Sequence, residues 1–161
     1  MQCISLFSGA GGLDVGAKMA GVRVTTCVEI DQDSVKTLRL NDSLGQLEIH
    51  AEDIIRIDFQ PYRNATNSFI IIGGPPCQPF SKNGYWVKNE NRLIERDPRN
   101  MLSQFLRAVS EAQPNGFLFE NVESLLHPTN LATLQLFLDA AEALGYRCTL
   151  YRANSADFGV P

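Results

Sequence analysis

Apolar and polar positions along this chain of 161 residues switch repeatedly between a strand-like and a helix-like period. Cys3–Phe7 reads as a first strand and Ser8-Gly-Ala-Gly-Gly as a tight turn. Leu13–Ala20 reads as a helix stopped by Gly21. Val22–Ile30 is rich in β-branched residues and predicts a second strand; Asp33–Leu40 predicts a helix ending near Asn41. Leu47–Ala51 is a weak third strand. Phe69–Ile72 is a short apolar run of the kind that forms a buried fourth strand, and Gly73-Gly-Pro-Pro breaks it abruptly. Asp97-Pro98 reads as an N-cap with proline in the first helical position. Met101, Leu102, Phe105, Leu106 and Val109 then share one helical face, and Pro114-Asn-Gly ends that helix. Phe117–Phe119 predicts a fifth strand. Asn130 is placed to cap a helix carrying Leu131, Leu134, Phe137, Leu138, Ala141 and Leu144, closed by Gly145, and Tyr146–Arg152 alternates like a sixth strand.

Strands alternating with helices, without internal repeats, predict one α/β domain with a largely parallel sheet. Residues 79–96 show no clear period and contain Gly84. A loop of that length in a compact domain is usually functional or disordered. The composition is that of a soluble globular protein. The N-terminus lacks the basic-then-apolar pattern of a signal peptide, and no run approaches the ~20 apolar residues of a membrane helix. A cytoplasmic, non-membrane protein is therefore expected.

The net charge of −4 does not suggest a nucleic-acid binder. The charge is uneven, however. Residues 82–99 hold five basic side chains (Lys82, Lys88, Arg92, Arg96, Arg99) against three acidic ones, a net +2, leaving −6 elsewhere. Phosphate contacts need such local cations, so this segment is the candidate DNA contact. The four cysteines, at positions 3, 27, 77 and 148, show no metal-ligand spacing, and the two histidines stand apart from them, so no metal site is expected. Cys3, Cys27 and Cys148 sit in strand patterns and read as small buried apolar residues. Cys77 is set instead among Gly, Pro and Gln.

Three clusters carry candidate chemistry. Phe7-Ser-Gly9-Ala-Gly11-Gly12 joins a strand to a helix, where bare backbone and a helix N-terminus can receive a ligand. The dinucleotide fingerprint is incomplete, because Asp14 stands where its third glycine belongs. Glu29 ends the second strand, where a carboxylate can accept hydrogen bonds from ribose hydroxyls, and Asp53 follows the third. This set fits a nucleoside cofactor, or else a turn with acids at strand ends. The second cluster places Cys77 at the carboxyl end of the buried fourth strand, after prolines that fix its backbone path. It reads as a thiol nucleophile or as a bystander in a proline-rich turn. In the third, Glu120 and Asn121 leave the fifth strand on the same sheet edge. Partly buried there, the acid can hold or share a proton; alternatively it simply faces water.

Phe-Ser-Gly-Ala-Gly-Gly, Val28-Glu29-Ile30-Asp31, Gly-Pro-Pro-Cys-Gln-Pro-Phe-Ser and Glu-Asn-Val follow one another as in the DNA cytosine-5 methyltransferases, which this chain resembles over essentially its whole length. Arg96-Asp-Pro-Arg-Asn-Met-Leu102 is similar to the family's segment between cysteine and Glu-Asn-Val. The resemblance implies a Rossmann-like S-adenosylmethionine-dependent methyltransferase fold. Phe7, Gly9, Gly11 and Gly12 would line the cofactor site. Glu29 would bind the ribose, Ile30 would pack on adenine, and Asp53 would contact its amino group. Ile54 and Pro75 would complete the cofactor set, and Leu102 would close the pocket. Pro76 would shape the loop, Cys77 would attack carbon 6 of a cytosine flipped out of double-stranded DNA, Glu120 would hydrogen-bond the base near nitrogen 3, and Asn121 would hold the site together. Residues 79–96 match the family's mobile loop. DNA methylation in restriction-modification or epigenetic marking is the implied role, in a prokaryotic or phage setting at the nucleoid.

The family pattern continues beyond Phe158-Gly-Val-Pro161 with a Gln-x-Arg-x-Arg segment, a strand that inserts between the fifth and sixth, a target-recognition region and a C-terminal helix. None of these is in the sequence. The expectation is a fold incomplete at the C-terminal side of its sheet and a chain with little activity alone. It would be a fragment, or one subunit of a split enzyme whose second chain supplies the target-recognition region and C-terminal helix. A tRNA cytosine-5 methyltransferase, a non-catalytic binding subunit and, more remotely, a nicotinamide-dependent dehydrogenase are the other readings.

Overall fold

The computed structural model describes residues 1–42, 45–64, 67–76 and 101–159. Cys77, the loop 79–96, the basic segment 82–99, the Asp97-Pro98 helix start and the final Val160-Pro161 lie outside the described residues. Five strands, β1 (Gln2–Leu6), β2 (Arg23–Val28), β3 (Glu48–His50), β4 (Phe69–Gly73) and β5 (Gly116–Phe119), form one sheet in the order β3-β2-β1-β4-β5. Every pairing is parallel. The helices are α1 (Gly12–Met19), α2 (Gln32–Asn41), α3 (Met101–Ala112) and α4 (Leu131–Ala143). Among the described residues, no helix is long and apolar enough to cross a membrane.

The strand pleat sorts side chains onto the two faces. In β1, Cys3 joins Val24, Cys27, Ile72 and, from α2, Leu38 on one side. Ile4 and Leu6 join Val28, Phe69 and Ile71 on the other, beneath α3 and α4. Both faces are covered, which explains why β1 and β4 read as apolar runs rather than alternating ones. The larger core centres on wholly buried Phe105 of α3, which meets Phe117 and Phe119 of β5 edge-on at 5.7 and 5.3 Å between ring centroids. Such rings contribute roughly 0.5–1.5 kcal/mol per pair beyond the area they bury.

Two expectations fail together. Tyr146–Arg152 forms no strand, and Cys148 is exposed rather than buried. The residue types alternate, but among the described residues no strand pairs with this segment. Among the described residues β5 bonds only to β4. Tyr146 still packs edge-on against Phe117 at 5.3 Å, but beyond it a groove of about 1010 Å³, lined by Phe117, Leu118, Phe119, Phe137 and Leu150 among others, lies between β5 and residues 147–154. Leu118 is 52% exposed on that open edge. Asn130 occupies the N-cap position of α4, but its side chain makes no cap. Its Nδ2 instead donates to the Ser124 carbonyl at 2.8 Å, tying down the turn before the helix. Cys3 and Cys27 are buried as expected, and burial, reinforced by the Asp14 carboxylate, pushes both thiols up to about 12. They are therefore inert at neutral pH.

Candidate functional site

The strand order reverses at β1, with β2 on one side and β4 on the other, and ligands of such sheets sit at the carboxyl ends beside that switch. A pocket of about 420 Å³ opens there. Its wall includes Phe7 and Ser8 from the end of β1, Gly12 and Leu13 from the start of α1, Gly74 after β4 and Glu120 after β5.

The β1–α1 turn is shaped by three left-handed residues. Phe7 has φ 54°, Gly9 φ 53° and Gly11 φ 92°. In an aromatic residue that conformation costs about 1–2 kcal/mol, the kind of strain that collects at functional sites. Gly11 needs its missing side chain twice over, since a Cβ there would also stand 3.1 Å from Leu38 Cδ2. A Cβ on Gly12 would instead enter open space at the pocket wall. No side chain caps α1, so its first-turn N–H groups stay available to a polar ligand.

Glu29 braces this turn. The Gly9 N–H donates to its Oε2 at 2.7 Å and the Asp31 N–H to its Oε1 at 2.8 Å. Each oxygen keeps further acceptor capacity, so a pair of ribose hydroxyls can be bound without breaking either bond. Ile30 follows, 61% exposed. Asp53 Oδ1 accepts from the Ile55 N–H at 3.0 Å and so starts the 3-10 turn Ile54–Arg56, in which Ile54 is buried.

On the opposite side, Gly73 and Glu120 lock the ends of β4 and β5 together through Glu120 N–H to Gly73 O at 2.9 Å. Asn121 Nδ2 donates to the Pro75 carbonyl at 3.1 Å, and its Oδ1 accepts from the Val122 N–H at 3.0 Å. The Gly-Pro-Pro path is thereby pinned to the exit of β5. Among the described residues Glu120 is exposed, not partly buried, because it leaves β5 at the open edge of the sheet.

Of the residues expected from sequence, Phe7, Gly12 and Glu120 line this pocket, Gly9 and Glu29 are hydrogen-bonded, and Pro75 and Asn121 are hydrogen-bonded. Leu102 is wholly buried in the larger core and is not on the pocket wall. Pro75 is buried, and Pro76, the last described residue before Cys77, is exposed. Gly74 was not singled out from sequence. An ideal Cβ on it would lie 2.7 Å from Glu120 Oε2. The signal was present, since a glycine at a strand end often marks a close approach.

Comparison with known proteins shows the family and the fold. The family profile for C-5 cytosine-specific DNA methylase matches residues 1–161. Type II methyltransferase M.AquIA of Picosynechococcus is 37% identical over 174 aligned residues, covering 99% of this chain and 67% of its own length. Type II methyltransferase M.HgiBI of Herpetosiphon aurantiacus is 35% identical over 158 residues, covering 98% of this chain but 34% of its own length, so this chain spans only about a third of that relative. A crystal structure of a candidate DNA modification methyltransferase from an Escherichia coli prophage superposes with a TM-score of 0.67 at 31% identity, over 89% of this chain and 38% of that one. DNMT2 of Spodoptera frugiperda, at 22% identity and a TM-score of 0.65, shares the fold.

Proposed function

Since the chain belongs to the C-5 cytosine-specific DNA methylase family, we propose that it forms the cofactor and nucleophile portion of an enzyme that methylates carbon 5 of cytosine in double-stranded DNA. The carrying observation is the pocket at the sheet's switch point, where Glu120 faces the glycine turn across Gly74, one step before Pro75-Pro76-Cys77.

The site fits S-adenosylmethionine. The open face of Gly12, the uncapped α1 and the braced Glu29 carboxylate suit a nucleoside carrying a polar tail. Phe7, Gly9, Gly11, Gly12, Glu29, Ile30, Asp53, Ile54, Pro75 and Leu102 would form and back its site. When bound, that cofactor supplies an electrophilic sulfonium methyl group.

The chain's own residues supply the rest. Ring carbon 5 of cytosine is a poor nucleophile. Addition of the Cys77 thiolate to carbon 6, with Glu120 sharing a proton at nitrogen 3, moves electron density onto carbon 5, which then takes the methyl group. Loss of the carbon 5 proton returns the electron pair to the ring and expels the thiolate. Asn121 and Pro76 hold the nucleophile's path. The base must leave the duplex stack, at a cost of a few kcal/mol.

The groove beside β5 and the coverage of M.HgiBI support a further reading, that additional polypeptide, in cis or from a second chain, completes the sheet and reads the DNA sequence. The test is covalent trapping on double-stranded DNA containing 5-fluorocytosine, with any completing segment supplied. The parent protein forms a stable adduct, and Cys77→Ser forms none. An adduct that survives the substitution rejects Cys77 as nucleophile.

A further inference from the structure

Between β3 and β4 the described residues form two short 3-10 turns, Ile54–Arg56 and Gln60–Asn64, and no longer element. Residues 51–59 contain a single three-residue 3-10 turn, Ile54–Arg56, and Asp53 stands at its start. An acid in so short a turn holds its position only if the turn is anchored elsewhere.

The anchor is Arg107 on α3. Its Nη2 donates to the Ile54 carbonyl at 2.7 Å and its Nη1 to the Ile57 carbonyl at 3.0 Å. Nη1 also reaches Glu111 Oε1 and Oε2, both at 2.9 Å, and Nε donates to Gln104 Oε1 at 2.8 Å. Glu111 Oε2 in turn accepts from the Phe59 N–H at 3.1 Å, and the guanidinium lies 5.6 Å from the centre of the Phe59 ring. Arg107 and Glu111 are both largely sheltered from water, which strengthens every one of these bonds. A planar fork with five donors satisfies this set of acceptors; an ammonium group presents a single point and cannot.

The clamp joins the carbonyl of the turn's first residue, Ile54, and that of Ile57 just after it to the helix that carries Leu102. We propose that Arg107 is a positioning residue for the adenine side of the cofactor pocket, fixing the Asp53 carboxylate through the backbone of residues 54–57 without touching the ligand itself. This inference rests on the proposed reading of Asp53 as the group that meets the adenine amino group.

A positioning role and a merely structural one differ in selectivity. The test is calorimetric binding of S-adenosylhomocysteine and of S-inosylhomocysteine, which carries a carbonyl where adenine has its amino group. In the parent protein the adenine form binds about tenfold to a hundredfold more tightly, the range for one hydrogen bond to a charged group. In Arg107→Lys that preference falls to about threefold or less, while S-inosylhomocysteine binding changes little. Equal weakening of both ligands, or an unchanged preference, overturns the proposal. If Arg107→Lys is unfolded by circular dichroism, Glu111→Gln, which loosens the same clamp with an isosteric side chain, is measured against the same two outcomes. A parent protein that binds neither ligand rejects the cofactor reading and this inference with it. A parent that binds both equally rejects the Asp53 assignment and this inference with it, and leaves the cofactor reading standing.

Discussion

Gly73 and Gly74 are adjacent, small and both tightly packed, yet replacing each with alanine should have opposite consequences. A Cβ on Gly73 would stand 2.7 Å from the Leu6 carbonyl and 3.2 Å from Phe105 Cε2. Those neighbours are the β1 backbone and a ring locked in the core, so neither yields without moving the β1–β4 pairing. Gly73→Ala is therefore expected to cost about 1–3 kcal/mol, the usual penalty for overpacking. A Cβ on Gly74 would stand 2.7 Å from Glu120 Oε2, with the next atoms no nearer than 3.8 Å. The obstructing atom is the tip of an exposed, flexible side chain, and restoring an ordinary contact of 3.4 Å or more needs only that the carboxylate swing away. Gly74→Ala should then leave stability within about 0.5 kcal/mol of the parent. With Glu120 in its proposed role the cost falls on chemistry, because displacing a catalytic group by the better part of an ångström lowers the rate by roughly 10²-fold. The assay pairs urea unfolding of each variant with single-turnover methyl transfer to double-stranded DNA by the complete enzyme. A folded Gly74→Ala protein with undiminished turnover would refute the placement of Glu120 in the reaction. Joint loss of stability and activity in that variant would refute the claim that its carboxylate is the only thing in the way.

Two further outcomes follow from the residues that support the β1–α1 turn. Glu29→Gln keeps one carbonyl oxygen but sets an NH₂ against one of the two N–H groups that Glu29 now receives from Gly9 and Asp31. S-adenosylhomocysteine affinity should fall by about fivefold to a hundredfold, consistent with roughly 1–3 kcal/mol for an unsatisfied donor, and unchanged affinity by calorimetry would count against the ribose role. Asp14 is buried, and burial raises its carboxyl above the ordinary value of 3.8, against weaker lowering by hydrogen bonds from Ser5 and Cys27 and by the charge of Lys18. The folded state therefore binds more protons than the unfolded one as pH climbs from about that value to the raised one, and stability drains away across that window and stays reduced above it. Asp14→Asn removes the ionisation, so relative to the parent the variant should gain urea resistance between pH 4 and pH 7; a relative loss over that interval would contradict this account.

The fate of β3 and of Tyr146–Arg152 shows what the sequence could and could not convey. The pattern around Leu47–Ala51 is weak, yet Glu48–His50 forms a strand because β2 lies alongside and pairs Thr26, Cys27 and Val28 with it. Tyr146–Arg152 alternates more clearly and forms none, because its potential neighbour β5 is across an open groove. Alternation records which face a residue would present once paired; it carries no information about whether a partner is within reach. Asn130 makes the same point for helices: the residue type suits a cap, but a nearby carbonyl, Ser124 O, takes its donor instead.

The site was legible to a different degree for a related reason. Glu29 and Gly9 were visible as types in the right order, since a ligand-accepting turn needs particular residues at short range. Arg107 shows locally only its pairing with Gln104 and Glu111 on its own helix; the two carbonyls it clamps lie about 50 residues away in sequence, on groups that every residue type possesses. A side chain that recognises backbone leaves its partner's sequence free. Such anchors become visible only when the chain is folded, whereas groups that recognise a ligand are constrained in type on their own side of the contact. The family motif therefore marks the residues that would meet the nucleoside and the base, and says little about the supports that would hold them in place.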